Sequence, residues 1–253
     1  MPHLAFHMSV ARELAGILNS TAIDGDRGAY YLGSTGPDMH VLLREDRVSS
    51  HHFDLECLEN QNSVETFFRA HGELKDTVGI DGALTAFVAG YLTHLVLDEL
   101  WITEIYRPFF GPASALGGNA QANLLDRVLQ YDMDLQRRRD RAAMEEIRNS
   151  LVAGSLLLGL GFLDEAALSP WRGITVDLVS QPPTWERFLW TSGRFLKAAG
   201  VTTEREAEAF MKTLPRLLTE IRGHVSDARL EGFLEQTRAL SLRVLKEYLH
   251  EDR

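Results

Sequence analysis

The sequence predicts an all-α protein, and three observations lead there. Runs that alternate apolar and polar residues with β-branched side chains are nearly absent. Apolar residues instead recur at intervals of three and four, the spacing that lines one face of a helix. One segment, residues 82–106, is apolar on nearly every side up to Leu97, as expected of a helix at the centre of a helical domain. The chain has 253 residues, enough for one large helical domain or two small ones. Residues 1–140 and 141–253 read as two halves of one domain, the first rich in chemistry-capable side chains and the second a helical scaffold.

The elements follow in order. Val10, Leu14, Ile17 and Leu18 form a stripe that predicts a first helix over about residues 5–19. Gly25-Asp26 is turn chemistry. Tyr30 to Gly33 reads as a short helix broken at Ser34-Thr35-Gly36-Pro37, because Pro37 pushes Gly36 out of the helical region. Residues 39–61 read as irregular, and Val64 to Leu74 as helical. Asp81 caps the long central helix, which Pro108 ends. Gly111 to Gly118 is a loop, and Ala120 to about Arg139 the next helix. Beyond it, periodicity predicts four or five helices, split into two groups by Pro182-Pro183, with the last starting at Ser226-Asp227. The apolar run Leu151 to Leu163 reads as a buried core helix, being too short to span a bilayer.

Bulk properties exclude some functions. The formal net charge of −10 disfavours a broad nucleic-acid surface. It leaves room for a small phosphorylated substrate, because a bound metal reverses the local field. Cys57 is the single cysteine, so an intramolecular disulfide and a thiolate zinc cluster are both out of reach, and a metal would fall to His, Asp and Glu. The opening Met1-Pro2-His3-Leu4 shows no basic region followed by an apolar one. No secretory signal or transmembrane segment is therefore expected, and the cytoplasm is the expected compartment.

Seven of the nine histidines precede residue 95. His94 and Asp98 stand four apart on the central helix, so both face one side and can reach one metal ion. The alternative is a buried hydrogen-bonded pair, or a histidine beside a solvent-facing carboxylate. His3 and His7 repeat that spacing and read either as a second ligand pair or as polar residues on a frayed end. Asp38 follows the turn at Gly36-Pro37, where a loop could aim a ligand or general base; a plain turn aspartate fits equally. His51 and His52 are adjacent imidazoles in irregular chain, read either as ligands or as solvated loop residues. His71 reads as a helix-end residue, and His40 has no informative spacing.

Taken together, His7, Gly33-Ser34-Thr35-x-Pro37-Asp38, His52-Phe53 and Gly90-Tyr91-x-x-His94-x-x-x-Asp98 resemble the zinc-dependent phospholipase C family. That family includes bacterial phospholipases C and clostridial alpha-toxin, and shares its fold with fungal zinc nucleases. The resemblance covers roughly residues 1–140. It implies an all-helical fold and up to three zinc ions that activate a water against a phosphodiester, with a phospholipid head group as one possible substrate. By position, Asp38, His52, His94 and Asp98 look like the ligands of one zinc, with Asp38 also the general base. Asp98 looks like a bridge to a second zinc that also takes His7. The family completes that second site with a cleaved N-terminal residue, for which His3 is the candidate stand-in here; His51 is a further, unassigned candidate ligand. The third site departs more. Its His-x-x-x-Glu pair falls on Asp126-x-x-x-Gln130, and no histidine follows Asp98. Asp126 and Glu104 suit a hard cation, Gln130 poorly suits zinc, and the third site is expected to be weakened or absent. A hydrolase of the His-Asp class fits less well, since no His-Asp dipeptide occurs. A non-catalytic protein that keeps the fold for binding or structure is the remaining alternative.

Overall fold

The computed structural model describes residues 3–250, and every regular element among them is helical. α1 spans Leu4–Leu18, α2 Thr21–Gly25 and α3 Arg27–Gly33. A 3-10 turn, Gly36–Met39, leads into α4 (His40–Leu43) and α5 (Arg47–His51). α6 is Ser63–Ala70, α7 Gly82–Leu100, α8 Ala120–Arg138 and α9 Arg141–Ala153. The remainder holds α10 (Leu168–Ser180), α11 (Glu186–Thr191), α12 (Gly193–Ala198), α13 (Glu204–His224) and α14 (Asp227–Leu249).

Local chemistry places these boundaries. Side chains of Asp26, Asn62, Asp81, Asn119, Asp140 and Ser226 each accept a backbone N–H from the first turn of the helix they precede. Such caps satisfy donors that have no partner inside the helix. α13 adds a reciprocal cap between Thr203 and Glu206.

α7 is the axis of the molecule. It is buried continuously from Leu84 to Asp98 and packs against α1, α2, α3, α6 and α14. One core joins residues from Ala5 in α1 to Tyr248 in α14, so both sequence halves belong to one domain. The long apolar helical stretch is Gly82–Phe110. By length and composition it could cross a membrane, with mean hydropathy 1.2, and 83% of that stretch's apolar window is buried inside the protein.

α3 crosses α7 at backbone contact. A Cβ on Gly33 would lie 2.0 Å from the Phe87 carbonyl oxygen, and one on Gly90 2.0 Å from that of Tyr30. Real atoms never approach so closely, so glycine at both positions is what lets the helices meet.

Four expectations need correction. Residues 39–61 are not wholly irregular, since α4 and α5 lie there; each is only four or five residues long, too short to show a period. Leu151 to Leu163 is not a core helix. α9 ends at Ala153, the chain continues without helix, and Gly159 and Gly161 take positive φ of 66° and 24°. Leu158 and Leu160 are buried there while Leu157 points out, 89% exposed. Pro108 does not end the central helix, which continues from α7 as a wider π-helical coil over Trp101–Phe110. Proline removes the N–H that the Glu104 carbonyl would receive in an α-helix. Arg229 repairs this, its Nη2 donating to Glu104 O at 3.0 Å. The region past residue 141 holds six α-helices rather than four or five, because α11 and α12 are short.

Candidate metal centre

Four elements bring the site together. α7 supplies His94 and Asp98, one turn apart and buried. The α3–α7 crossing sets the Ser34 carbonyl 2.9 Å from His94 Nδ1. Nδ1 therefore carries the proton and donates, and Nε2 presents a lone pair on the other side of the ring. α1 supplies His7, whose ring stacks on that of His94 with centroids 3.9 Å apart and planes 8° from parallel. α5 supplies His51 and the 3-10 turn supplies Asp38. Tyr91, three residues before His94, ties α5 to α7 through its hydroxyl, which donates to Ser50 O.

The ligand-type atoms converge on one point. His51 Nε2 lies 3.3 Å from His94 Nε2 and 3.3 Å from Asp98 Oδ2, and His94 Nε2 lies 3.4 Å from Asp98 Oδ2. Asp38 Oδ1 is 3.5 Å from His51 Nε2. These separations are at the long end of the hydrogen-bond range. They match the edges of a tetrahedron around zinc, roughly 3.3–3.4 Å for bonds of about 2.0–2.1 Å. On the other oxygen of the same carboxylate, His7 Nε2 sits 3.4 Å from Asp98 Oδ1. Both atoms are buried without a hydrogen-bond partner. Orphaned buried polar atoms are costly, and a cation between them removes the cost. The donor set of imidazole nitrogens and carboxylate oxygens suits zinc or a similar divalent ion. Two groupings, His7 with His94 and Asp98, and Asp38 with His51 and His94, each have the compactness to hold a metal ion.

Charge follows the geometry. Burial pushes the Asp98 carboxyl up, but His94, His51 and His7 outweigh it and hold it well below the usual range. Asp38 is likewise lowered against burial, chiefly by His51 and His94. Burial lowers His7, and the stacked His94 lowers it further. Burial also lowers His94, but the Asp98 and Asp38 carboxylates more than offset it, raising His94. Exposure is uneven across the cluster. The side chains of His7, His51, His94 and Asp98 are at most 3% exposed, whereas Asp38 is 20% exposed.

The structure gathers His7, Asp38, His94 and Asp98 as the sequence suggested, but puts His51 rather than His52 among them. His52 caps α5 in the left-handed conformation, φ 52°. That twist turns its ring away, edge-on to Phe67 at 5.3 Å and 5.6 Å from His71. Asp126 and Gln130 also stand apart. Asp126 accepts from Trp101 Nε1 at 3.0 Å and from Gln130 Nε2 at 2.7 Å, and Gln130 in turn accepts from Arg127. Among the described residues, neither metal-sized grouping includes Asp126 or Gln130. Glu104 is paired with Arg229 at 2.6 Å. His3 is half-buried against Tyr131, ring centroids 5.1 Å apart, its pKa lowered to about 3 by desolvation and by Arg127. It joins neither grouping.

Sequence reasoning missed Arg47. Its Nη2 donates to Asp98 Oδ2 at 3.3 Å. Its place four residues before His51 was the available signal. The Ser34 carbonyl was missed too, although Gly33 and Gly90 mark the close approach that positions it. Comparison with protein families, curated proteins and solved structures gave no match.

Proposed function

We propose that the protein is a metal-dependent hydrolase of phosphoric esters, taking a phosphodiester or phospholipid-like substrate. The observation that carries this reading is the convergence of Asp38, His51, His94 and Asp98 with separations of 3.3–3.5 Å, at a point open to solvent beside Asp38. The motif resemblance to zinc-dependent phospholipases C supports the same chemistry.

Asp38 Oδ1, His51 Nε2, His94 Nε2 and Asp98 Oδ2 would hold one ion, with zinc the best match to the donor set. His7 Nε2 and Asp98 Oδ1 would contribute to a second, with Asp98 as the bridge. When bound, a divalent cation supplies a Lewis acid that acidifies a nearby water and offsets charge on phosphoryl oxygens. The chain's own residues do the rest. Ser34 O fixes the His94 tautomer, and Asp38, the most exposed member, is placed to accept the water's proton. The buried wall of His7 and His94 excludes bulk solvent from the far side.

One observation favours a second reading, a closed structural metal site: the cluster is almost wholly buried away from Asp38. The two readings separate by experiment. Purified protein supplemented with zinc or manganese is expected to carry about one to two equivalents of metal and to cleave an activated phosphodiester such as bis(p-nitrophenyl) phosphate. Metal well below one equivalent contradicts both readings. Full metal without cleavage of any mono- or diester favours the structural one.

A further inference from the structure

Arg47 stands where a metal site has least use for it. Its Nη2 lies 3.3 Å from Asp98 Oδ2, the same oxygen that completes the triangle with His51 and His94. A guanidinium beside a ligand oxygen repels an incoming cation and competes with it for that oxygen. If metal binding were the only task, a neutral side chain would serve better.

The geometry gives Arg47 a different task. Nη1 donates to Phe53 O at 3.3 Å, so the planar fork is held in one orientation. Arg47 lies one turn before His51 on α5, and its backbone oxygen lies 3.3 Å from His51 Nδ1. The residue thus moves as one unit with a ligand. Its side chain is 15% exposed and that of Asp38 20%, against at most 3% for His7, His51, His94 and Asp98.

We propose that Arg47 is an oxyanion-binding residue, which takes the non-bridging oxygens of a phosphate or phosphoester drawn to the metal centre. Arginine suits this because its fork matches tetrahedral oxyanions in two-point fashion. A bound anion would also offset the positive charge of both the guanidinium and the metal. This rests on the metal-centre reading above and extends it to how substrate is recognised.

The test uses the full chain loaded with zinc and, as probe, inorganic phosphate. Zinc affinity by chelator competition and phosphate affinity by calorimetry are measured for wild type, Arg47→Gln and Arg47→Lys. Removal of the guanidinium is expected to leave zinc affinity unchanged or several-fold tighter, while phosphate affinity falls by about tenfold or more, the loss typical of a charged hydrogen bond. Arg47→Lys, which keeps charge but loses the fork, is expected to lie between. The opposite pattern, zinc lost along with phosphate in folded Arg47→Gln, makes Arg47 a structural partner of Asp98 and overturns the proposal. Equal phosphate affinity in all three proteins overturns it as well. If Arg47→Gln does not fold, Arg47→Lys decides alone: phosphate affinity equal to wild type refutes the proposal, and a several-fold loss at unchanged zinc affinity supports it. Wild type that takes up no zinc defeats the metal-centre reading itself, a result recognisable before any phosphate is added.

Discussion

At the scale of single residues, the contrast between His51 and His52 is the sharpest. Adjacent imidazoles cannot both point at one centre from the end of a helix. His51 is the last helical residue of α5 and faces inward; His52 adopts φ 52° and packs on Phe67. Nothing in a two-residue string tells which of the pair ends the helix, so the sequence suggested the neighbour. His94 and Asp98 were legible because the i, i+4 rule needs only a helix, and the helix was evident. His51→Ala is therefore expected to lower bound zinc to well under half of the wild-type value, and His52→Ala to leave it unchanged. Metal analysis of the two purified variants checks this, and the reverse order would reassign the ligand.

A second residue lies behind the site. The Asp134 carboxylate accepts from the Phe6 N–H at 2.9 Å, capping the start of the helix that carries His7. Burial raises its pKa from 3.8 to about 6, Arg138 and the backbone donors acting against that shift. A folded-state value above the unfolded one means the neutral form is favoured on folding. The contribution is fully present below about pH 4 and is lost as pH rises through about 6. Asp134→Asn mimics the neutral form and keeps the accepting oxygen. Its stability relative to wild type is expected to rise between pH 4 and pH 7.5 by about 1–3 kcal/mol. Chemical denaturation of both proteins across that range measures the difference, and a flat or falling difference would show Asp134 to be bound as a carboxylate.

At the scale of elements, the α3–α7 crossing connects packing to chemistry. Gly33 and Gly90 let two backbones touch, and that contact delivers Ser34 O to His94. Alanine at position 90 would gain about 1 kcal/mol of helix propensity. It would also place a methyl 2.0 Å from Tyr30 O, which only backbone displacement relieves. The clash wins, so Gly90→Ala is expected to cost about 3 kcal/mol or more in stability and to weaken zinc binding together with it. Thermal melts and metal titration report both effects. Gly223→Ala in α13, where no atom lies within 4 Å of the added methyl, is the control.

The π-helical continuation of α7 is a second lesson at this scale. The rule that proline ends a helix assumes that the freed carbonyl has no other partner. Here Arg229, 125 residues away, supplies that partner to Glu104 O and pairs with the Glu104 carboxylate. Such long-range repair leaves no local trace in sequence. The same holds for Leu151 to Leu163, where composition spoke for burial but three glycines and the alternation of Leu157 out and Leu158 in describe an extended strap.

At the scale of the whole molecule, the helical class was legible from periodicity alone, since one missed turn or boundary does not alter a dozen stripes. The central place of α7 was legible too, because a helix apolar on all sides has nowhere else to go. What periodicity cannot convey is the assembly of side chains from distant elements. Asp38, His51 and His7 come from a turn, a five-residue helix and the first helix, and only the tertiary fold sets them 3.3–3.5 Å from their partners. Asp126 and Gln130 show the converse. They carry plausible ligand types at a plausible spacing, yet the fold closes them on Trp101 and on each other.

The central claim is a metal centre built on Asp38, His51, His94 and Asp98, with His7 beside the other oxygen of the Asp98 carboxylate. Anomalous diffraction at the zinc edge, on crystals of zinc-supplemented protein, tests it most directly. The account predicts a peak about 2.0–2.2 Å from His51 Nε2, His94 Nε2 and Asp98 Oδ2, with Asp38 completing the shell. No peak at that position, or a peak ligated by His52 or Asp126 instead, would contradict it.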